Sequence, residues 1–166
     1  MRRILNAAAA SVVTVVTLAS TGCLAKSRLN QAQVAGAMGR RTCPMTTPNG
    51  LQLPPEAKGG GPSPYLHGNG KLWTSLPLDG TLILRRERDG SIGDKFPWWR
   101  AVPGILTIAG RRLDGEGTVW SNVPAGYGVT GFQSTAIFFS GEGCWEITGR
   151  VPDASLTFVL NVRVKE

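Results

Sequence analysis

Residues 143–164 read GCWEITGRVPDASLTFVLNVRV, and this stretch decides the fold. Leu156, Phe158, Leu160, Val162 and Val164 stand two apart, which puts all five side chains on one face of an extended strand. Thr157, Asn161 and Arg163 fall on the opposite face, which must meet solvent or a polar neighbour. Residues 144–148, rich in aromatic and β-branched types, make a second strand that ends at Gly149, and Pro152-Asp153 supplies the turn. A ribbon with one apolar face has to bury it against another layer, and here that layer is expected to be a second sheet.

The stretches upstream carry the same kind of pattern. Residues 71–76 (KLWTSL) and 81–86 (TLILRR) flank Leu78-Asp79-Gly80 and predict a hairpin, followed by a polar loop over 87–95. Then come FPWWR at 96–100, a strand over 105–113, and another over 118–123 that stops at Pro124. A corner with Gly126, Gly128 and Gly131 leads into a strand over 132–139. The result is seven or eight strands with no crossover helix between any two, which predicts an antiparallel two-sheet sandwich over residues 65–166. The 166 residues, 42% of them hydrophobic, allow one such domain with an extension.

That extension is at the N-terminus. Arg2 and Arg3 precede an apolar run over residues 4–18, and small residues then lead to Cys23. Residues 1–22 therefore read as an export signal, too short for a comfortable membrane span. Gly22-Cys23 resembles a lipobox, with Ser20 where Leu is usual. The expectation is a cysteine acylated by lipid such as palmitate, holding the chain to a cell membrane or outer membrane; the alternative is cleavage after Ala25 with Cys23 incidental. Residues 23–64 read as a tether, first basic, then rich in Pro and Gly, with six of the 11 prolines between 44 and 64.

Three cysteines are odd for an oxidising compartment. Lipidation of Cys23 leaves Cys43 and Cys144 as a pair, which either forms a disulfide or remains two thiols. If bridged, Cys43 pins the start of the tether, and part of it can then wrap the sandwich as an edge strand. The net charge of +7 suggests nucleic acid until the charges are located. Six of the 18 basic residues and none of the acidic ones precede Cys43, leaving 12 basic against 11 acidic beyond it. The basic excess thus lies beside the expected anchor, where it either meets anionic headgroups or serves as a solubilising linker with no specific contact, and no nucleic-acid partner is expected.

HGNGKLWTSLPLDG, KFPWWR, LTIAGRRLDG, GYGVTGFQSTAIFF and GCWEITGR together resemble a set of uncharacterised bacterial secreted proteins and lipoproteins. Residues from Ala136 to the end also resemble the last three strands of immunoglobulin-like bacterial surface domains. The resemblance spans about residues 43–164 and implies an immunoglobulin-like β-sandwich in the cell envelope. It carries no catalytic residues.

Read for chemistry, the chain offers little. Gly126-Tyr-Gly128-Val-Thr-Gly131 spells a dinucleotide motif, but a strand follows where the motif needs a helix, so it reads as a turn. One histidine and no HExxH or CxxC leave no common zinc layout, and no cofactor is expected. Ser140-Gly-Glu-Gly-Cys144 distantly resembles the active-site segment of L,D-transpeptidases, which makes Cys144 with His67 the enzyme alternative. The segment lacks the histidine and arginine of that motif, and no catalytic set is expected. The aromatics are the better lead. Trp98 and Trp99 must point to opposite faces, so one packs in the core while the other is partly exposed. Lys95, Trp98, Trp99, Arg100, Tyr127 and His67 form the candidate surface for a glycan, peptidoglycan or protein partner, with Lys95 or Arg100 stacking on the exposed indole. Trp73, Trp120 and Trp145 are expected in core or inter-strand packing, and His67 in a turn.

Overall fold

The computed structural model describes residues 42–57, 61 and 63–165. The expected signal, Cys23 and the basic part of the tether lie outside the described residues. Among the described residues nine strands run in chain order: β1 (Leu66–Gly68), β2 (Leu72–Ser75), β3 (Thr81–Leu84), β4 (Ile92–Arg100), β5 (Thr107–Arg112), β6 (Val119–Asn122), β7 (Gly131–Phe139), β8 (Gly143–Val151) and β9 (Ala154–Val164). They form a five-stranded sheet in the order β1-β2-β4-β7-β6 and a four-stranded sheet in the order β3-β9-β8-β5. The two pack face to face as an immunoglobulin-like β-sandwich. All pairings are antiparallel except β3 with β9.

The alternation read from the sequence builds the core. Phe158 and Leu160 on β9 are fully buried, and Phe158 packs between Phe96 at 6.3 Å and Trp98 at 5.9 Å. Trp145 on β8 is also buried, 5.5 Å from Phe139 on β7, and donates its indole N–H to the Gly141 carbonyl. Leu72, Ile92, Ile137, Ile147 and Val162 complete the layer between the sheets.

Two sequence expectations change. Residues 71–76 and 81–86 do not form a hairpin: β2 belongs to the five-stranded sheet and β3 to the four-stranded one. The Leu78-Asp79-Gly80 turn carries the chain from one sheet to the other, and β3 then pairs parallel with β9, Leu82 opposite Val162. The loop expected over 87–95 is shorter, because β4 begins at Ile92, whose side chain is fully buried.

The expected tether is part of the fold over its described length. Cys43 is disulfide-bonded to Cys144 across 101 residues, with Cα atoms 5.4 Å apart. From there the chain runs along the free edge of β9, where Thr46 N–H donates to Val159 O at 2.9 Å and Val159 N–H donates to Thr46 Oγ1 at 2.9 Å. It then reaches the free edge of β1. Asn49 brackets Gly68, donating to its carbonyl at 2.7 Å and accepting from its N–H at 3.1 Å, and Gly50 N–H donates to Leu66 O. Backbone groups left open at two sheet edges are thus satisfied by one strap, which also removes those edges as templates for other chains.

Candidate binding face

The two outward faces of the sandwich differ in chemistry. On the four-stranded sheet the outward positions are mostly polar, with Ile83 the exposed exception at 65%. The Thr148 and Thr157 hydroxyls lie 2.8 Å apart, and Arg111 pairs with Glu146 at 2.6 Å. Across the antiparallel strands β5, β8 and β9 this is the ordinary solvated side of a sheet.

On the five-stranded sheet two rows of outward positions carry aromatic residues, of which Trp73 is itself covered and 4% exposed. The register aligns Gly68, Trp73, Trp99 and Phe132 in one row across β1, β2, β4 and β7. Gly93, Phe138 and Trp120 align in a second row across β4, β7 and β6. Phe132 is 52% exposed, and Tyr127 meets it edge-on at 6.2 Å from the neighbouring corner. Trp120 is 46% exposed and stacks on Phe138 at 5.5 Å with the rings nearly parallel. Two glycines make this layering possible: Trp73 lies against Gly68 and Phe138 against Gly93, where any side chain would collide with the ring.

Between the two rows the outward residues are small or polar: Pro97, Lys95, Ser134, Ala136 and, on β6, Asn122. At the first row the face deepens into a groove of about 280 Å³, walled by Trp73, Trp99, Pro97 and Phe132 with Leu53 and Ala57 of the strap. The indole Nε1 atoms of Trp73 and Trp99 are buried here without an acceptor among the described residues.

The residues expected at the site divide. Trp99 is half-buried on the outward face, Lys95 is exposed between the rows, and Tyr127 is 40% exposed at one end. Trp98 is not part of the surface; it faces inward and is 1% exposed, the buried partner that alternation demands. Arg100 is not a stacking cation either. Its guanidinium is buried and donates to the carbonyls of Gly104, Gly128 and Val129, tying the β4–β5 loop to the β6–β7 loop. Burial lowers its pKa below the ordinary arginine value.

His67 is in strand β1 rather than a turn, beside Thr74 of β2. Desolvation lowers its pKa, against a smaller opposing effect from a hydrogen bond to the Thr47 backbone. Cys144 is bonded to Cys43 and belongs to the other sheet, so the pair that a cysteine enzyme needs is not assembled as a thiol beside an imidazole. Among the described residues no three His, Cys, Asp or Glu side chains gather as a metal site.

Sequence reading missed Phe132, Phe138, Trp73 and Trp120 as members of the face. The available signal was in β7, which carries aromatic residues at both parities: Phe132 and Phe138 outward, Phe139 inward. A strand with one wet face has no need of both. Trp73 is buried and Trp120 stacks on Phe138 of the next strand, so both do pack between strands as expected; alternation alone does not say that this packing lies on the outward side of the sheet. No protein-family model, characterised protein or solved structure matches this chain.

Proposed function

We propose that this chain is an exported, lipid-anchored envelope protein whose sandwich is a non-catalytic binding module, docking its partner on the outward face of the five-stranded sheet. The observation that carries the reading is the contrast between the faces. Two aromatic rows with half-exposed Trp120 and Phe132 occupy one side of a sandwich whose other side carries paired threonines, an ion pair and a single exposed aliphatic, Ile83. Keeping such rings in water forgoes their burial, and exposed apolar patches rimmed by polar residues mark interaction sites. The enzyme alternative, Cys144 with His67, needs the disulfide opened before a thiolate exists.

The anchor rests on the sequence alone: the basic start, the apolar run and Gly22-Cys23. Its place in the scheme is consistent with the strap. A chain tethered at Cys23 enters the fold at Cys43, where a covalent bond to β8 takes the pull instead of the three-residue edge strand β1.

One fractionation experiment tests both parts. The full chain is expected in the membrane fraction and the Cys23→Ala variant outside it. Envelope material is expected to co-sediment with the Cys23→Ala chain, and adding Trp120→Ala and Phe132→Ala should abolish that. Adding Ile83→Ala, on the other sheet's exposed side, should leave it unchanged. Equal retention of both combinations removes the binding face from the account.

A further inference from the structure

We infer that the occupant of this face is an extended glycan chain lying along strands β4 and β7, its sugar rings stacked on the aromatic row at each end. The inference rests on the reading of the face as a binding surface and adds the chemistry of what it binds.

The layout of the face argues for a linear ligand. The rows cross β4 at Trp99 and Gly93, six residues apart, which is about 20 Å along a strand. Between them the floor is low, made of Pro97, Ser134 and Ala136, with Lys95 and Asn122 beside it. A globular partner of ordinary affinity wants a continuous apolar centre with a polar rim. Here the bulky apolar groups stand at the two ends, and the middle is low and mixed, with Pro97 and Ala136 beside Ser134, Lys95 and Asn122. A ribbon-like chain fits that order, its apolar ring faces on the aromatics and its hydroxyls over the floor.

Charge and hydrogen bonding point the same way. Lys95 is the one charged residue among the outward positions of the two rows and the floor between them, so the face has no means of selecting a polyanion or an acidic peptide. The indole N–H of half-buried Trp99 has no acceptor among the described residues, whereas that of Trp73 is covered by Gly68. A slight turn of the half-buried Trp99 ring that brings its N–H to a sugar hydroxyl gains a hydrogen bond without breaking one. The Arg100 clamp holds the corner bearing Tyr127 in place before any ligand arrives, which lowers the ordering cost of binding.

The probe is a soluble β-linked N-acetylglucosamine hexasaccharide, titrated into the full chain by calorimetry, with a tetrasaccharide and a disaccharide for comparison. Affinity should rise with chain length until both rows are spanned and change little with salt. Trp120→Ala and Phe132→Ala should each weaken the hexasaccharide about tenfold, the loss of one stacked ring. Trp120→Tyr should restore most of it, and circular dichroism of every variant should match the parent. No binding of the hexasaccharide, or binding that ignores both substitutions, overturns the glycan assignment. So does envelope binding that depends on the face but disappears when the envelope is treated with protease, or self-association of the chain that Phe132→Ala abolishes. The last two outcomes leave the binding face standing with a protein partner or a second copy, and so separate this inference from the proposal beneath it.

Discussion

At the scale of single residues, the sandwich turns on where an indole lies against a glycine. Trp98 is buried with its six-membered ring against Gly149 of the opposite sheet, so close that a methyl group there would overlap it. Gly149→Ala gains at most about 1 kcal/mol of backbone entropy relative to glycine. It forces a rigid ring out of a close-packed layer that also holds Phe158, a class of change costing roughly 1–3 kcal/mol. Overpacking wins, because the neighbour is a ring fixed on both sides rather than the free end of a flexible chain. Urea unfolding should show Gly149→Ala destabilised with an unchanged denaturant slope; a variant as stable as the parent would mean that the Trp98 pocket is loose. This contact was not legible in the sequence. KFPWWR announces that one tryptophan is inside, but nothing local says which, since the choice depends on whether the sheet's register turns even or odd positions inward. The same holds for Arg100, which reads as a surface cation until its burial beneath three loop carbonyls is seen.

At the scale of elements, the strap is the feature that composition conceals. Proline and glycine between residues 44 and 64 read as linker, and that composition does suit a chain with no strand of its own. The described part is nevertheless held, because β9 extends past the four residues of β3 and leaves open carbonyl and amide groups that Thr46 satisfies. Such a need belongs to another element's edge and leaves no mark in the strap's own residues. The last hairpin shows the opposite case: its alternation is strict because one face is core and the other water, so β8 and β9 were readable to within a residue or two. The turn at Leu78-Asp79-Gly80 lies between. Its chemistry predicts a reversal correctly, but a reversal within a sheet and a passage between sheets carry the same residues. The disulfide at the strap's origin closes a loop of 101 residues, for which the chain-entropy model gives about 4–5 kcal/mol. Reduction, or Cys43→Ala with Cys144→Ala, should lower the melting midpoint by roughly 10–20 °C. Hydrogen exchange should then quicken first at Thr46 and Gly50, ahead of β8. Unchanged exchange along the strap would show that its backbone hydrogen bonds hold it without the bond.

At the scale of the whole molecule, fold and function are legible to different degrees for one physical reason. Burying apolar residues on one side of each strand is what makes the sandwich, so the fold is written in every alternating segment. A binding face asks only that some outward positions depart from polarity. That departure becomes visible when the register brings Trp73, Trp99 and Phe132, distant in sequence, into one row. Lys95, Trp99 and Tyr127 were named from the sequence and do lie on or beside that face; Trp98 and Arg100 were named with them and face inward. The claim on which the account depends is that the aromatic face of the five-stranded sheet, and no other surface, meets the partner. Hydroxyl-radical footprinting of the full chain with and without envelope material tests it most directly. Trp120, Phe132 and Tyr127 should be protected with no change at Ile83 or Ile105; protection confined to the four-stranded face, or to no aromatic residue at all, would rule out the aromatic face as the docking surface.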